Sequence, residues 1–501
     1  MPAAERPAPL PVPVVHAELE GPHEIELVVG VGCRDEPPHL AGITHLAEHL
    51  LMVLSGPDAT ARNGSTLDRS VVFSSASARD ECEDSIRRIC DAITHVDRLT
   101  EEQVARELAI IEMEDPLRYE GLAPGLATIR FGYAGPGLVG AGTPALASVT
   151  RDEVVAWVRE RFTADRAVVL VTGPWAVAPA LELPAPSAGR VHRASTARGT
   201  TTPVAVPTEL PGVAASVVVP ATVSLALDHA LSVDCHQRLR MEEGLTYTVD
   251  VHASRIDDDA VQLDIVVGAP PQHVRAATVQ TVALLHSIAV EGFSPLGIAR
   301  GRSDAQLLLE APRRLIQARA SESASALLFG DDTVDVEDRL RAGAAMDGET
   351  LRRAWAEALP SLIVMFSEEA DTGDPEVLAR EIGIRIDDMA PSRSLSPEEF
   401  ASAVRGLRTW RSGIAPFPAR STFAVDATRL LILMDGRSWS IDLERVVVAL
   451  VSDESVVLVS EDARLFQIGT RSLRRASELV EAVVDAVRAI APERVRRLPS
   501  R

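Results

Sequence analysis

Three side chains in the segment AGITHLAEHLLM, residues 41–52, could hold a metal ion and use it: His45, Glu48 and His49, in the order H-x-x-E-H. On a helix, positions four apart project from one face, so His45 and His49 can grip one ion while Glu48 lies beside them. Zinc suits two neutral imidazoles and one carboxylate, with a fourth position open for water. A second carboxylate near that water can take its proton as it attacks a carbonyl, and later pass the proton to the leaving amine. These are the residue types of metal-assisted hydrolysis, with the glutamate in reversed order relative to H-E-x-x-H. Two histidines and a glutamate on a solvated helix face need no metal. Here, however, the helix is apolar (LAGITHLAEHLLMVL), where unpaired polar groups are costly unless they have a task.

A third ligand should be a carboxylate on another helix. The segment VARELAIIEMEDP supplies Glu107, Glu112, Glu114 and Asp115. Glu112 lies on a stripe with Leu108 and Ala109 and can face the motif helix. Residue type and periodicity go no further than that.

The elements that must position these groups follow from hydrophobic patterning. HEIELVVGVGC reads as a strand, residues 40–54 as an apolar helix stopped by SGPD, and 69–77 as a second strand. Helices are expected at 80–96 and 100–114, the latter capped by Thr100 with Gln103 three residues on. After a Gly/Pro-rich loop at 132–144 come a capped helix, TRDEVVAWVRERF, and a buried strand, RAVVLVTGP. Pro, Ala and Ser dominate 174–198, a linker composition. The grammar then repeats: a strand (GVAASVVVPA), a helix at 224–241, strands LTYTVDVHASRI and AVQLDIVVGAP, and helices at 273–291 and 296–325. Such coarse similarity suggests duplicated domains. The last hundred residues are a series of short strands with a turn at MDGR, closed by an amphipathic helix at about 472–490, after which APERVRRLPSR frays.

Composition narrows the classes of function. The 501 residues call for two to four domains, and 46% hydrophobic content is that of a folded protein. With 4% aromatics, the cores must rest on Val, Leu, Ile and Ala. A formal charge of -22 argues against nucleic acid or an anionic membrane as partner and suits a cationic peptide better. Cys33, Cys82, Cys90 and Cys235 form no C-x-x-C pair, which reads as free thiols in a reducing, cytoplasmic setting. MPAAERPAPLPVPVV reads as a flexible leader rather than a secretory signal. No stretch reaches the roughly 18–20 apolar residues of a spanning helix.

The order HLAEH, NGSTLDRSVVF, ARELAIIEME resembles the pitrilysin/insulinase family of zinc metallopeptidases, which carries an inverted H-x-x-E-H motif, an Asn-bearing strand and a helix with a glutamate ligand. The resemblance places these at Asn63 and Glu112, making Glu112 the implied third ligand. Glu112 follows His49 by 63 residues (112 − 49), closer than is usual in the family. The shortfall falls between Leu54 and Asn63, where members carry an extra short helix, so a trimmed surface element is implied. A second family glutamate, two helical turns before the ligand, falls at Ala105 and is absent, which bears on rate or metal affinity. Further on, RLRMEEGLTYTVDVHAS resembles the family's Arg-Glu-x-x-Gly-Leu-x-Tyr segment, implying that Arg240 and Tyr247 help hold the substrate. A guanidinium offers paired donors to a peptide carbonyl, and a phenol can donate to a developing oxyanion. Without the resemblance, Arg240 reads as a solvated helix residue and Tyr247 as a strand aromatic packed on the core.

The match spans roughly residues 15–390 and is similar to the shorter, mitochondrial-processing-peptidase-like members. It implies an α+β fold of two homologous α/β-sandwich domains, each a mixed or antiparallel sheet with helices packed on it. The expected division is a leader at 1–14, a zinc-binding domain at 15–185, a linker at 186–203, a second domain with the Arg/Tyr pair at 204–395, and a small β domain at 396–501 with a pleckstrin-homology-like pattern. The implied activity is endopeptidase cleavage of short or unfolded peptides. One Zn2+ per chain would be held by His45, His49 and Glu112, with Glu48 as general base. Asn63 would bind the peptide backbone on an edge strand. Two-domain members pair as homodimers or heterodimers around a chamber, one subunit's first domain facing its partner's second. The alternative is a catalytically silent member serving as a scaffold or partner subunit.

Overall fold

The computed structural model describes residues 9–57, 60–114, 121–175, 179–186, 201–330, 335–368, 373–387, 393–411, 421–434, 436–470 and 475–499. Residues 1–8 of the expected leader, most of the expected linker, Asp115 and Asp435 of the MDGR turn lie outside them.

The chain enters through β1 (Leu10–Pro11), which pairs antiparallel with β7 (Glu182–Leu183). Val12 is buried and its N–H donates to the Leu181 carbonyl, so the described part of the leader expected over 1–14 is built into the fold. Four further strands follow in sequence: β2 (Val14–Ala17), β3 (His23–Val29), β4 (Ala61–Thr66) and β5 (Val71–Ser77). With β6 (Ala167–Thr172) they form a sheet in the order β2-β6-β3-β5-β4, in which only β2 and β6 run parallel. The alternation in HEIELVV turns Ile25, Leu27 and Val29 into the core. Against them pack α1 (Ile43–Leu54), α2 (Arg79–Thr94) and α5 (Arg151–Arg161), with Ile43, Leu46, Ala47 and Leu50 of α1 at the helical 3–4 spacing. Next to α1 lies α3 (Glu101–Glu114), opened by the Thr100–Gln103 capping box read from the sequence.

The second domain repeats this plan. Its strands are β8 (Val204–Thr208), β9 (Val213–Pro220), β10 (Val249–Arg255), β11 (Ala260–Val267) and β12 (Ile363–Ser367). Their order is β10-β11-β9-β12-β8, again with only the last pair parallel. Strand for strand this matches the first sheet, so the duplication expected from sequence is present in the topology. The place of α1 is taken by α6 (Ala221–Cys235), which runs on into a π-helical turn, His236–Glu242. Then come α7 (Val274–Glu291), α8 (Pro295–Leu309) and α9 (Pro312–Phe329). The single helix expected over 296–325 is thus two helices. Pro312 has no N–H to continue the ladder and starts a new one.

The domains are knitted by exchanged helices. The helix α4 (Leu122–Phe131) comes from the first stretch of chain but packs Leu122, Leu126 and Ile129 onto Val204, Ala214, Ile363 and Met365 of the second sheet. Arg130 fixes it there, donating to the carbonyls of Ser216 and Ser361 at 2.9 Å each. In return α9 lies against β2 and β6 of the first sheet, with the Arg69 guanidinium 4.1 Å over the Phe329 ring.

Two helices, α10 (Val336–Ala345) and α11 (Gly348–Ala358), complete the second domain, and α12 (Pro375–Glu381) follows β12. The third domain holds β13 (Arg393–Leu395), α13 (Pro397–Ala403), β14 (Thr409–Arg411), β15 (Thr422–Val425), β16 (Arg429–Met434) and β17 (Arg437–Asp442) in one sheet region. A second sheet contains β18 (Val446–Val451), β19 (Ser455–Ser460), β20 (Leu465–Gly469) and β21 (Val495–Arg497). The helix α14 (Ala476–Ile490) closes both through Leu479, Val480, Val483 and Val487. The tail expected to fray instead pairs β21 parallel to β18. Arg496 in it donates to Glu153 Oε1 at 2.6 Å and to the Ser148 Oγ at 2.9 Å, docking the third domain on the first. Among the described residues no single helix is long and apolar enough to cross a membrane.

Candidate metal centre

The one-turn spacing of His45 and His49 on α1 brings their rings into an edge-to-face pair with centroids 4.7 Å apart. Both Nε2 atoms face one carboxylate: Glu114 lies 3.6 Å from His45 Nε2 and 3.3 Å from His49 Nε2. His45, His49 and Glu114 are the metal-capable cluster among the described residues, each offering a ligand atom within 4.8 Å of the others. On the other side of the His49 ring, Nδ1 lies 3.4 Å from the buried carboxylate of Glu107. A carboxylate behind a ligating imidazole fixes its tautomer and ring orientation.

The carboxylate in this cluster is Glu114, not the expected Glu112. Glu112 is exposed on α3 and stands outside the cluster. Two helix residues correspond to about 200° of rotation, so Glu112 and Glu114 point to opposite sides, whereas Glu107 and Glu114, seven apart, share a face. The buried stripe of α3 is Val104, Glu107, Leu108 and Ile111, not the one through Ala109. The absent support inferred at Ala105 is a consequence of the same two-residue slip. Ala105 is exposed, and the carboxylate two turns before Glu114 is Glu107.

Glu48 is 5% exposed. It reaches across to β4, where Gly64 makes room: a Cβ there would lie 1.9 Å from Glu48 Oε1. β4 is the last strand of its sheet and pairs only with β5 among the described strands, which places Asn63 on an edge strand. Asn63 donates from Nδ2 to Ser65 Oγ at 3.3 Å. Together α1, α3 and β4 wall a cavity of about 630 Å3, with Glu48, Asn63 and the three cluster residues on its surface. The connection from α1 to β4 is only residues 55–60, with residues 58–59 outside the described set. Arg62 staples its start by donating to the Gly56 carbonyl at 2.8 Å.

The N-terminus of α1 is held by a residue that motif reading passed over. Its N-cap is Gly42, at φ 95°, with no side chain to cap the helix. Glu36 does this instead, accepting from the Gly42 N–H at 2.6 Å and the Thr44 N–H at 2.8 Å. Full burial pushes the Glu36 carboxyl up to about 7, and these hydrogen bonds only partly counter it. A glycine N-cap before a helix with a two-histidine face was the available signal.

Arg240 and Tyr247 are brought together, but not to this cavity. The Arg240 guanidinium sits 4.7 Å over the Tyr247 ring, and its Nη1 is 3.2 Å from His236 Nε2. Tyr247 precedes β10 and is 77% exposed, so it is not a core strand aromatic. Every described residue lining the metal-site cavity falls between His45 and Glu114.

The sequence matches no protein-family model and no curated protein. Solved structures share its fold. A chain of complex III2 from Candida albicans, with Inz-5 bound, superposes with a TM-score of 0.58 at 12% identity, covering 74% of this chain and 97% of that one. A protease from Helicobacter pylori gives 0.58 at 17% identity, covering 72% and 100%. The inactive domain of a peptidase M16 from Pseudomonas fluorescens gives 0.56 at 12%, covering 73% and 100%. The fold is therefore that of the pitrilysin/insulinase-type domains that the motifs resemble, and it carries a His-His-Glu cluster able to hold a metal.

Proposed function

We propose that this chain is a zinc-dependent endopeptidase acting on short or unfolded peptides. The observation that carries this is the convergence of two imidazoles and the Glu114 carboxylate beside a separate buried carboxylate, Glu48, at an edge strand. The donor set fits zinc: two nitrogen ligands and one oxygen, with Glu107 behind His49. One ion per chain, when bound by His45, His49 and Glu114, supplies a water acidified toward neutrality.

The chain's own groups do the rest. A peptide lying along β4 would add as an antiparallel or parallel strand, with Asn63 at its backbone. Glu48 accepts the proton of the attacking water and returns it to the leaving amine. Arg240 and Tyr247 stand outside their own chain's cavity, so this reading takes them from a partner subunit: homodimer or heterodimer, the second domain of one chain faces the first domain of the other. The exposure of Tyr247, stacked on Arg240, supports this. The four free cysteines suit a cytoplasmic setting.

A second reading, a catalytically silent scaffold subunit, draws support from the similarity to an inactive peptidase domain. The complete set of His45, Glu48, His49 and Glu114 favours the enzyme. Digestion of a mixed peptide library by wild type and Glu48→Gln, with zinc measured in both, separates the two. The enzyme reading expects E48Q to keep zinc and lose cleavage; a zinc-free, well-folded wild type without cleavage would establish the scaffold.

A further inference from the structure

Beside the metal cavity lies a second one of about 240 Å3, and the two share His45, Thr66 and Leu67 as walls. We infer that this second cavity is a specificity subsite for an aliphatic substrate side chain within a residue or two of the scissile bond. The inference rests on the peptidase reading above and adds to it the class of residue selected.

Its lining decides the chemistry. Leu67, Leu138, Val139, Pro124 and Ala41 make most of its wall apolar. Two carboxylates also line it, Glu36 and Asp68, and among the described residues no Lys or Arg does. An acidic side chain would find the Asp68 carboxylate and no countercharge on the described wall. A basic one would find both carboxylates engaged: Glu36 accepts from the first turn of α1, and Asp68 Oδ2 pairs with Arg34 Nη1 at 3.3 Å. What remains is space for a Val-, Leu- or Met-sized group.

The cavity is also braced. The short helical stretch Gly135–Gly140, which carries Leu138 and Val139, is backed by the third domain, where Leu138, Ala145 and Tyr133 pack on Val448, Leu450 and Val459. The N–H of Tyr133 donates to the Glu461 carbonyl at 2.9 Å. A wall fixed from behind makes a preformed pocket, in which a change of one or two methylenes alters discrimination by tenfold or more.

The test compares the full-length zinc-loaded wild type with Val139→Trp and Val139→Ala, Val139 lining only this second cavity. Cleavage of a peptide library is read for residue preference at each position, and peptide affinity is read in the same variants carrying Glu48→Gln. The expected result is an aliphatic preference at one position near the cut. V139W should shift it toward Ala and Gly, with about a tenfold loss for Leu peptides in both cleavage and affinity, and V139A should broaden it toward larger residues. Cleavage with the same profile in all three proteins overturns the subsite and leaves the peptidase reading standing. No cleavage by the zinc-loaded wild type overturns both.

Discussion

Gly64 and Glu48 occupy one space between them: a methyl group on Gly64 would fall 1.9 Å from the Glu48 Oε1 atom. The carboxylate is thus held at the strand edge because its neighbour has no side chain. Gly64→Ala should push Glu48 aside while leaving the three metal-facing residues in place. We expect zinc content equal to wild type and kcat/KM lower by about a hundredfold, the scale on which a displacement of about an ångström costs rate. Loss of zinc in G64A would show that the glycine serves the fold of the site rather than the placement of Glu48.

The register of α3 makes a graded prediction for its acids. Glu114→Gln should abolish tight zinc binding, Glu107→Gln should weaken it by about 10–100-fold through His49, and Glu112→Gln should leave it unchanged. Competition against a chelator of known affinity reads all three. A loss of zinc in E112Q alone would reverse the assignment.

If Arg240 and Tyr247 serve the partner's site, two inactive chains should rescue one another. A chain carrying Glu48→Gln and a chain carrying Arg240→Met with Tyr247→Phe are each expected to be inactive. Mixed and allowed to exchange subunits, they should regain peptide cleavage, because one of the two sites in each mixed dimer is intact. Continued inactivity of a mixture shown to contain mixed dimers would place the pair outside the site.

Glu153 gives a pH prediction for the docking of the third domain. Burial acts to raise its pKa, but Arg496 and the Thr150 donors outweigh that and hold the carboxyl at about 2, against an ordinary value of 4.5. A lowered folded pKa means the contact stabilises fully above about pH 4.5 and is lost as pH falls through 2. Since Glu153 is only half-buried, screening limits the effect to roughly 1 kcal/mol. Arg496→Met should therefore melt below wild type at neutral pH, and the gap should close between pH 4.5 and 2. A pH-independent gap would point to lost packing alone.

Much of this was legible in the chain itself. The H-x-x-E-H helix, the Thr100 cap and the repeated strand grammar are local patterns, and each appears where periodicity put it. Glu114 was not, because four acids crowd one helix end and the choice among them depends on which stripe of α3 faces α1. That is a tertiary fact, set by Val104, Leu108 and Ile111 meeting the first core. Gly64 and Glu36 escaped for a related reason, since each acts on a residue brought near only by folding. Arg496 looked like part of a fraying basic tail until Glu153, 343 positions away, supplied its partner.

The turn at Gly132 bears on how this chain can be cut. With φ at +72° and its Cβ position 2.2 Å from the Glu461 carbonyl oxygen, Gly132 is moulded to the third domain. The apolar patch of Tyr133, Leu138 and Ala145 is covered by that domain as well. Removing residues 396–501 to obtain a minimal two-domain protein would strip one side of the segment whose other side faces His45. The third domain is accordingly no detachable module, and work on the first two in isolation would begin from a protein with an opened flank beside its candidate metal helix.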